Sequence, residues 1–417
     1  MSSTPRLSVG SAIARILAAV PTLASEQVPL HDVPGRVLSD ELIARHTHPA
    51  WRNSAMDGYA LHTDDVRGAT RDVPVTLRVA GTIAAGDEVP ATVDRGTAWR
   101  IMTGAPVPDG IDTVIRVEDT DAGVVTVQLL DDRDAGRNIR PRGEDFRTGD
   151  LLVSRGTVLR AAHVGLAAAC GRSTLTVVRR PRVAILSSGN ELVDIDRYDD
   201  VLAGRRTVNT NGYVLAAAVR EAGGVPIDLG IAPDDPAAIA ACILAAPPFD
   251  VLVTCGGISV GAFDYTRDVV QRLGATLEFW RVRMRPGGPF GFGMLGERPW
   301  FGLPGNPVSA MVTHELFVRP AVRRMGGHEL AVRAAVPVTL AEPVTTQGGV
   351  THFLRAVVSD DRRASLTGPQ GSGILTSMAA ANALLIVPHD VTYLAAGDAA
   401  LAILLYDNSQ MAVMWTS

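Results

Sequence analysis

Three short stretches of the chain carry residues able to hold an anion. Residues 187–191 read Ser-Ser-Gly-Asn-Glu, 256–261 read Gly-Gly-Ile-Ser-Val-Gly and 302–307 read Gly-Leu-Pro-Gly-Asn-Pro. Glycines in such turns let backbone N–H groups face an anion, and hydroxyls add donors, a combination that suits phosphate. Ser188, Gly256, Gly257, Ser259, Pro304, Gly305 and Asn306 are the residues this reading selects. None of the turns matches GxGxxG or GxxxxGKS/T, so a Rossmann or P-loop nucleotide site is not supported. A fourth stretch, Arg-Val-Arg-Met-Arg-Pro-Gly-Gly-Pro over 281–289, sets Arg281, Arg283 and Arg285 at alternate positions. On an extended strand that spacing turns three guanidinium groups to one side. Taken alone it also reads as a charged strand edge followed by a turn. The three loops and the arginine strand together describe a polyanion pocket.

A pocket rich in phosphate contacts calls for a divalent cation, and Mg²⁺ takes one or two carboxylates while keeping several waters. Asp57, Glu144, Asp145, Glu191, Asp234, Asp235 and Asp264 are candidate ligands as a set. Each of them singly also reads as a helix cap, a turn residue or an exposed acid.

The elements that must position these residues follow from the hydrophobic pattern. From residue 182 onward apolar strands (182–188, 225–231, 250–256, 276–282) alternate with helical stretches (213–222, 236–246, 264–273). That alternation predicts a mostly parallel sheet covered on both faces, with the ligand site beyond the carboxyl ends of the strands. A helix over 307–325 closes the unit, with Asn306 as its N-cap and Pro307 in its first turn. Residues 51–136 read as short strands separated by turns, and 330–417 return to strand patterning. The expected fold is therefore multidomain α/β plus β. Its parts are an N-terminal helical/linker domain (1–50 and 137–181), an inserted β-rich domain (51–136), a central α/β domain (182–327) and a C-terminal β domain (328–417). The helix ending near Gly171 is expected to pack back on the N-terminal helix, which makes 51–136 the insertion.

Composition narrows the classes. With 417 residues, 47% hydrophobic and 20% charged, the chain can bury several cores and exceeds one ordinary domain. A net charge of −5 argues against a general nucleic-acid binder, and no apolar run is long enough to span a bilayer. The N-terminus reads as a short amphipathic helix rather than a secretory signal, so a cytoplasmic protein is expected. Cys170, Cys242 and Cys255 lack CxxC spacing and suggest neither a disulfide frame nor a zinc site. All 39 basic residues are arginine, which removes lysine chemistry altogether.

The motifs NSAMDGYA (53–60), MTGAPVP (102–108), RGEDF (142–146), SSGNEL (187–192), GGISVGAFDYT (256–266) and GLPGNPVSA (302–310) run in order along nearly the whole chain. This set resembles the MoeA family, the molybdopterin molybdenumtransferases, which are similar to the E domain of gephyrin. The resemblance implies four-domain subunits with a MogA-like, molybdopterin-binding central domain and a β-barrel-like last domain. It also implies an elongated homodimer with a cleft between subunits. The implied reaction inserts molybdate into adenylylated molybdopterin and releases AMP with the aid of Mg²⁺, on a substrate made by a MogA-like adenylyltransferase. By motif position the functional acids fall on Asp57, Asp145, Glu191, Asp264 and Asp235, with Glu191 and Asp264 as metal ligands and Thr103 as a hydroxyl contact. Arg355 of HFLR and Ser372 of QGSG fall at positions linked to molybdate handling. Arg281 and Arg285 stand where lysines are usual, Gly288 stands where the motif has lysine, and Asn190 replaces an aspartate. Ala262 and Phe263 fill a position that is often acidic. These departures keep a second reading open: a catalytically weakened paralogue that binds molybdopterin or serves as a scaffold. A generic nucleotide-binding α/β enzyme is disfavoured by the missing phosphate-loop fingerprints.

Overall fold

The computed structural model describes residues 6–88, 92–257 and 265–406. The chain divides into two compact units, one of residues 29–34 and 40–175, the other of residues 1–28, 35–39 and 176–417.

The smaller unit is built on a five-stranded sheet in the order Thr113–Arg116, Gly58–Leu61, Thr97–Ile101, Val75–Ile83, Thr126–Leu129. Alternation along Gly58–Leu61 sends Tyr59 and Leu61 into one apolar cluster and Ala60 into another, so both faces of the sheet are covered. A register shift between Val79 and Gly81 bends the long strand. A Cβ on Gly81 would sit 2.5 Å from the Trp99 ring, which explains the glycine there. The helix Ala161–Ala169 of this unit packs on Leu30–Asp32.

In the larger unit a six-stranded sheet runs Val225–Ala232, Arg182–Ser188, Val251–Cys255, Arg298–Leu303, Gly291–Leu295, Ala275–Trp280. The first four strands are parallel, as the strand–helix alternation predicts. The hairpin Gly291–Leu295 to Arg298–Leu303 then turns the sheet antiparallel. One face is covered by Thr210–Glu221, by the helical run from Pro307 to Met325 and by Val9–Ala19, whose Ala12 and Ile16 share a core with Phe317, Val318 and Ala321. The other face carries Pro236–Leu244 and Tyr265–Arg272 through Ile239, Ile243, Val269 and Val270. The N-terminal helix packs within the larger unit, against Arg319–Met325. The helix expected over 307–325 is interrupted by a π turn, His314–Val318. Pro320 has no N–H to give, and the Arg319 amide bonds the His314 carbonyl five residues back.

The C-terminal strands close on themselves in the order Thr351–Val358, Arg363–Leu366, Ala335–Leu340, Ala399–Leu404, Ala383–Val387 and back to Thr351–Val358, a five-stranded barrel around Leu354, Ala356, Leu385 and Ala402. Closure leaves the barrel strands without a free edge except where Met284–Arg285 adds alongside Thr351 and His352.

Candidate active site

The carboxyl ends of the four parallel strands open into one cleft of about 760 Å³. Ser187, Ser188, Gly189 and Glu191 reach it from the first of these strands in sequence, Asp234 from the second, Gly256 and Gly257 from the third, and Pro304, Gly305, Asn306 and Pro307 from the fourth. Asn209, Thr210 and Asn211 at a helix start also line it, as do Gly373 and Leu375 in the connection between the barrel strands Arg363–Leu366 and Ala383–Val387. The three loops singled out in the sequence therefore do share one cleft.

Backbone geometry fixes the turn at its base. Gly256 and Gly257 have φ of +96° and +63°, and a Cβ on Gly256 would lie 2.3 Å from the Ser188 carbonyl oxygen. Only glycine fits there. Around this turn the hydroxyls of Ser187 and Thr266 are buried and have no partner among the described residues. Cys255 is closed off: its Sγ lies 3.2 Å from the Pro304 carbonyl, and burial pushes its thiol up to about 12. That is a packed thiol, not a nucleophile. Asn211 links the loops, donating through Nδ2 to the Gly305 carbonyl at 2.7 Å and to Cys255 Sγ at 3.1 Å. Its Oδ1 is buried and has no partner among the described residues. Sequence reading passed over Asn211; its place two residues after the N-cap Asn209, at the carboxyl edge of a parallel sheet, was the available clue.

The carboxylates sort differently from the expectation. Glu191 lines the cleft with its carboxylate against Gly189, where a Cβ would come within 2.8 Å of both oxygens. Asp235, the acid favoured from the sequence, caps the helix Pro236–Leu244 by accepting from the Ala238 amide at 2.8 Å. Its neighbour Asp234 is the one in the cleft. Asn190 and Asp234 bond reciprocally: each backbone amide donates to the other's side-chain oxygen at 3.1 Å, tying two strand-end loops together.

No basic side chain lines this cleft among the described residues. The arginine stretch does not form one strand: the strand ends at Trp280, Arg281 takes φ 85°, and Met284–Arg285 joins the barrel edge. Arg285 donates to Gln347 at 2.8 Å, and Arg281 and Arg283 make no side-chain bond or ion pair among the described residues. The loss of extended geometry at Arg281 is what breaks the expected row. At Gly288 a Cβ would lie 2.9 Å from the Met284 carbonyl oxygen, so any side chain there requires the backbone to shift.

Asn306 is the N-cap residue, but its side chain makes no capping bond. Its Nδ2 donates instead to Ser372 Oγ at 3.0 Å, while the Val308 amide bonds the Ser372 carbonyl at 3.0 Å. Arg355 is fully buried, with no acid partner among the described residues. Its guanidinium donates to the carbonyls of Pro369, Gln370 and Gly371 and to Ser377 Oγ. Burial without a counter-charge holds its pKa below the usual arginine range. Arg355 thus clamps the turn that carries Ser372 and is not itself a lining residue of the cleft.

In the smaller unit Asp57 and Thr103 come together. Asp57 Oδ1 accepts from the Thr103 hydroxyl at 2.6 Å and from its amide at 2.7 Å. Those two bonds, outweighing desolvation and aided by Arg100, hold the exposed carboxyl below the ordinary range. Asp145 is exposed, and only its amide is engaged, with the His48 carbonyl at 3.2 Å. Ser259 and Asp264 lie outside the described residues.

Three family models match along the chain: the MoeA N-terminal region (domain I and II) over residues 7–171, the "probable molybdopterin binding domain" over 184–324, and the MoeA C-terminal region (domain IV) over 337–405. A relative named molybdopterin molybdenumtransferase 2, from Mycobacterium tuberculosis (strain CDC 1551 / Oshkosh), is 38% identical over 377 residues, covering 89% of this chain and 92% of that one. The chain belongs to the MoeA family. Another relative, named molybdopterin molybdenumtransferase and from Nostoc sp. (strain PCC 7120), is 34% identical over 96% of this chain and 94% of its own. The crystal structure of the molybdopterin biosynthesis MoeA protein from Pyrococcus horikoshii OT3 aligns with a TM-score of 0.80 at 28% identity, over 96% of this chain and all of that one. The expected fold, with a MogA-like domain and a barrel in its C-terminal region, is borne out. The cleft described above lies, apart from Gly373 and Leu375, within the span of the molybdopterin-binding match. No helix among the described residues is long and apolar enough to cross a membrane.

Proposed function

We propose that this MoeA-family transferase of molybdenum cofactor biosynthesis inserts molybdate into adenylylated molybdopterin and releases AMP in a Mg²⁺-dependent reaction. The observation that carries the reading is the cleft: four strand-end loops bring two carboxylates without cationic partners among the described residues, Glu191 and Asp234, to the same wall as the buried Ser187 hydroxyl. Such a lining suits a phosphate-bearing pterin with a cation between its phosphates and the acids. Among the described residues no group of three His, Cys, Asp or Glu side chains is placed to hold a metal. Glu191 and Asp234 would hold Mg²⁺, with Asp264 as the further ligand the motif implies. When bound, the ion offsets negative charge developing on the phosphoanhydride.

The chain's own residues do the rest. The Gly256–Gly257 turn and the Ser187 and Ser188 hydroxyls orient the phosphates, Asn211 offers Oδ1 to a pterin N–H, and Ser372, held by Asn306 and by the Arg355-clamped turn, meets the oxyanion. Asp57, kept ionised by Thr103, and Asp145 belong to the same function by their motifs. No covalent protein nucleophile is needed. A MogA-like adenylyltransferase supplies the substrate, and the working form is a homodimer, expected in light scattering at about twice the 43.9 kDa chain mass; a stable monomer at micromolar concentration would count against it.

A second reading, a pterin-holding protein with weakened catalysis, is favoured by the cleft's lack of a basic lining residue and by the tight backbone at Gly288. Single-turnover AMP release from adenylylated molybdopterin, with and without molybdate, separates the two. Release that requires both molybdate and Mg²⁺ supports the insertase; tight pterin binding with no release under any condition rejects it for the second reading.

A further inference from the structure

A cleft with two carboxylates and no basic lining residue among the described residues can take a phosphoanhydride with a cation between, but offers it no direct protein cation, so a free cation at its rim matters. Three arginines lie in the segment 194–206 that follows the Glu191 loop along the chain: Arg197, Arg205 and Arg206. Two of them are neutralised by one acid, since Arg197 pairs with Asp200 at 2.5 Å and Arg205 reaches the same carboxylate at 3.7 Å. Arg206 has no acid partner among the described residues. Its Nη1 donates instead to the backbone carbonyl of Asn190, which stands between the cleft-lining residues Gly189 and Glu191. Arg206 is also the only basic side chain bonded to segment 187–192 among the described residues.

Its place is set by the fold. The short parallel pairing of Leu192 with Thr207 and Val193 with Val208, with the Thr207 amide on the Glu191 carbonyl at 2.8 Å, fixes the backbone next to Arg206 against the cleft loop. Thr207 itself lines the cleft. One N–H of the guanidinium is spent on Asn190, which anchors the planar group at small further entropy loss and leaves its other donors exposed.

We infer that Arg206 is the cleft's phosphate-recognising cation, contacting the phosphoanhydride of the substrate from the rim above Glu191. This rests on the function proposed above and adds a specificity-determining residue to it. The alternative role is structural: Arg206 does no more than hold the Asn190 carbonyl.

Equilibrium binding to the full chain, measured for adenylylated molybdopterin and for 6-hydroxymethylpterin, a pterin without phosphate, distinguishes these. Arg206→Gln, which keeps a donor for Asn190, is expected to weaken the adenylylated ligand about tenfold at low ionic strength. The deficit should shrink in high salt, and affinity for the neutral pterin should not change. Arg206→Lys should recover part of the loss. Equal affinity of wild type and Arg206→Gln for the charged ligand at low salt overturns the inference, as does an equal loss for both ligands, which is the structural outcome. A wild type that binds neither pterin overturns the functional reading, and the inference with it.

Discussion

Two regions of the molecule treat their carboxylates in opposite ways. In the smaller unit's sheet, Asp134, 2% exposed in its side chain, is held by Arg116 through two bonds at 2.7 and 2.8 Å, and the buried Asp119 is gripped by Arg133. In the cleft of the larger unit, Glu191 and Asp234 meet backbone amides and glycine but no guanidinium. Burying a charge without a partner is costly, so the paired acids must be paired for the sheet to form. The cleft acids keep solvent access, and their charge stays available to a ligand. The difference separates acids that hold the fold from acids whose charge is left open to a ligand, although an aspartate serves in each set.

The comparison breaks if the two sets respond alike to mutation. Glu191→Gln or Asp234→Asn should lower single-turnover AMP release on the order of 10²- to 10³-fold, with unfolding midpoints close to wild type. An unchanged rate in both variants would remove the cleft acids from the reaction. Arg116→Met should do the reverse, lowering the stability of the smaller unit because Asp134 is left buried without its cation. Hydrogen exchange along Thr113–Arg116, compared with Arg182–Ser188, localises the loss. Equal protection of Thr113–Arg116 in wild type and variant would mean that the pair contributes little.

Much of this contrast was legible in the sequence where chemistry is local. Continuous apolar runs marked the strands Arg182–Ser188 and Val251–Cys255, and glycines marked the turn that no other residue could make. What escaped depends on distant pairing. Asp234 and Asp235 are adjacent and alike, and only the register of the helix start decides which one caps and which one faces the cleft. Arg355 sits on an alternating strand like an outward-facing charge, yet barrel closure and the turn 369–371 bury it completely. The alternation of Arg281, Arg283 and Arg285 promised one face, but a positive φ at Arg281 and recruitment of Arg285 to the barrel edge separate them.

The smallest effect is also the most diagnostic of the paired class, and it appears only in acid. Arg116's hydrogen bonds outweigh desolvation and hold the Asp134 carboxyl below its usual value of 3.8 in the folded chain. A lowered folded pKa adds stability that is fully present above the unfolded value and is lost as pH falls through the folded one. Wild type should therefore keep this contribution down to about pH 4 and lose it below. In Arg116→Met the same carboxyl is buried without its cation, which raises its pKa, so the variant's penalty should be relieved as soon as acid protonates it. Stability of the two proteins, measured by urea unfolding from neutral pH downward, should differ most near neutrality and converge in acid. A gap independent of pH would trace the loss to the packing of the arginine stem and not to its charge.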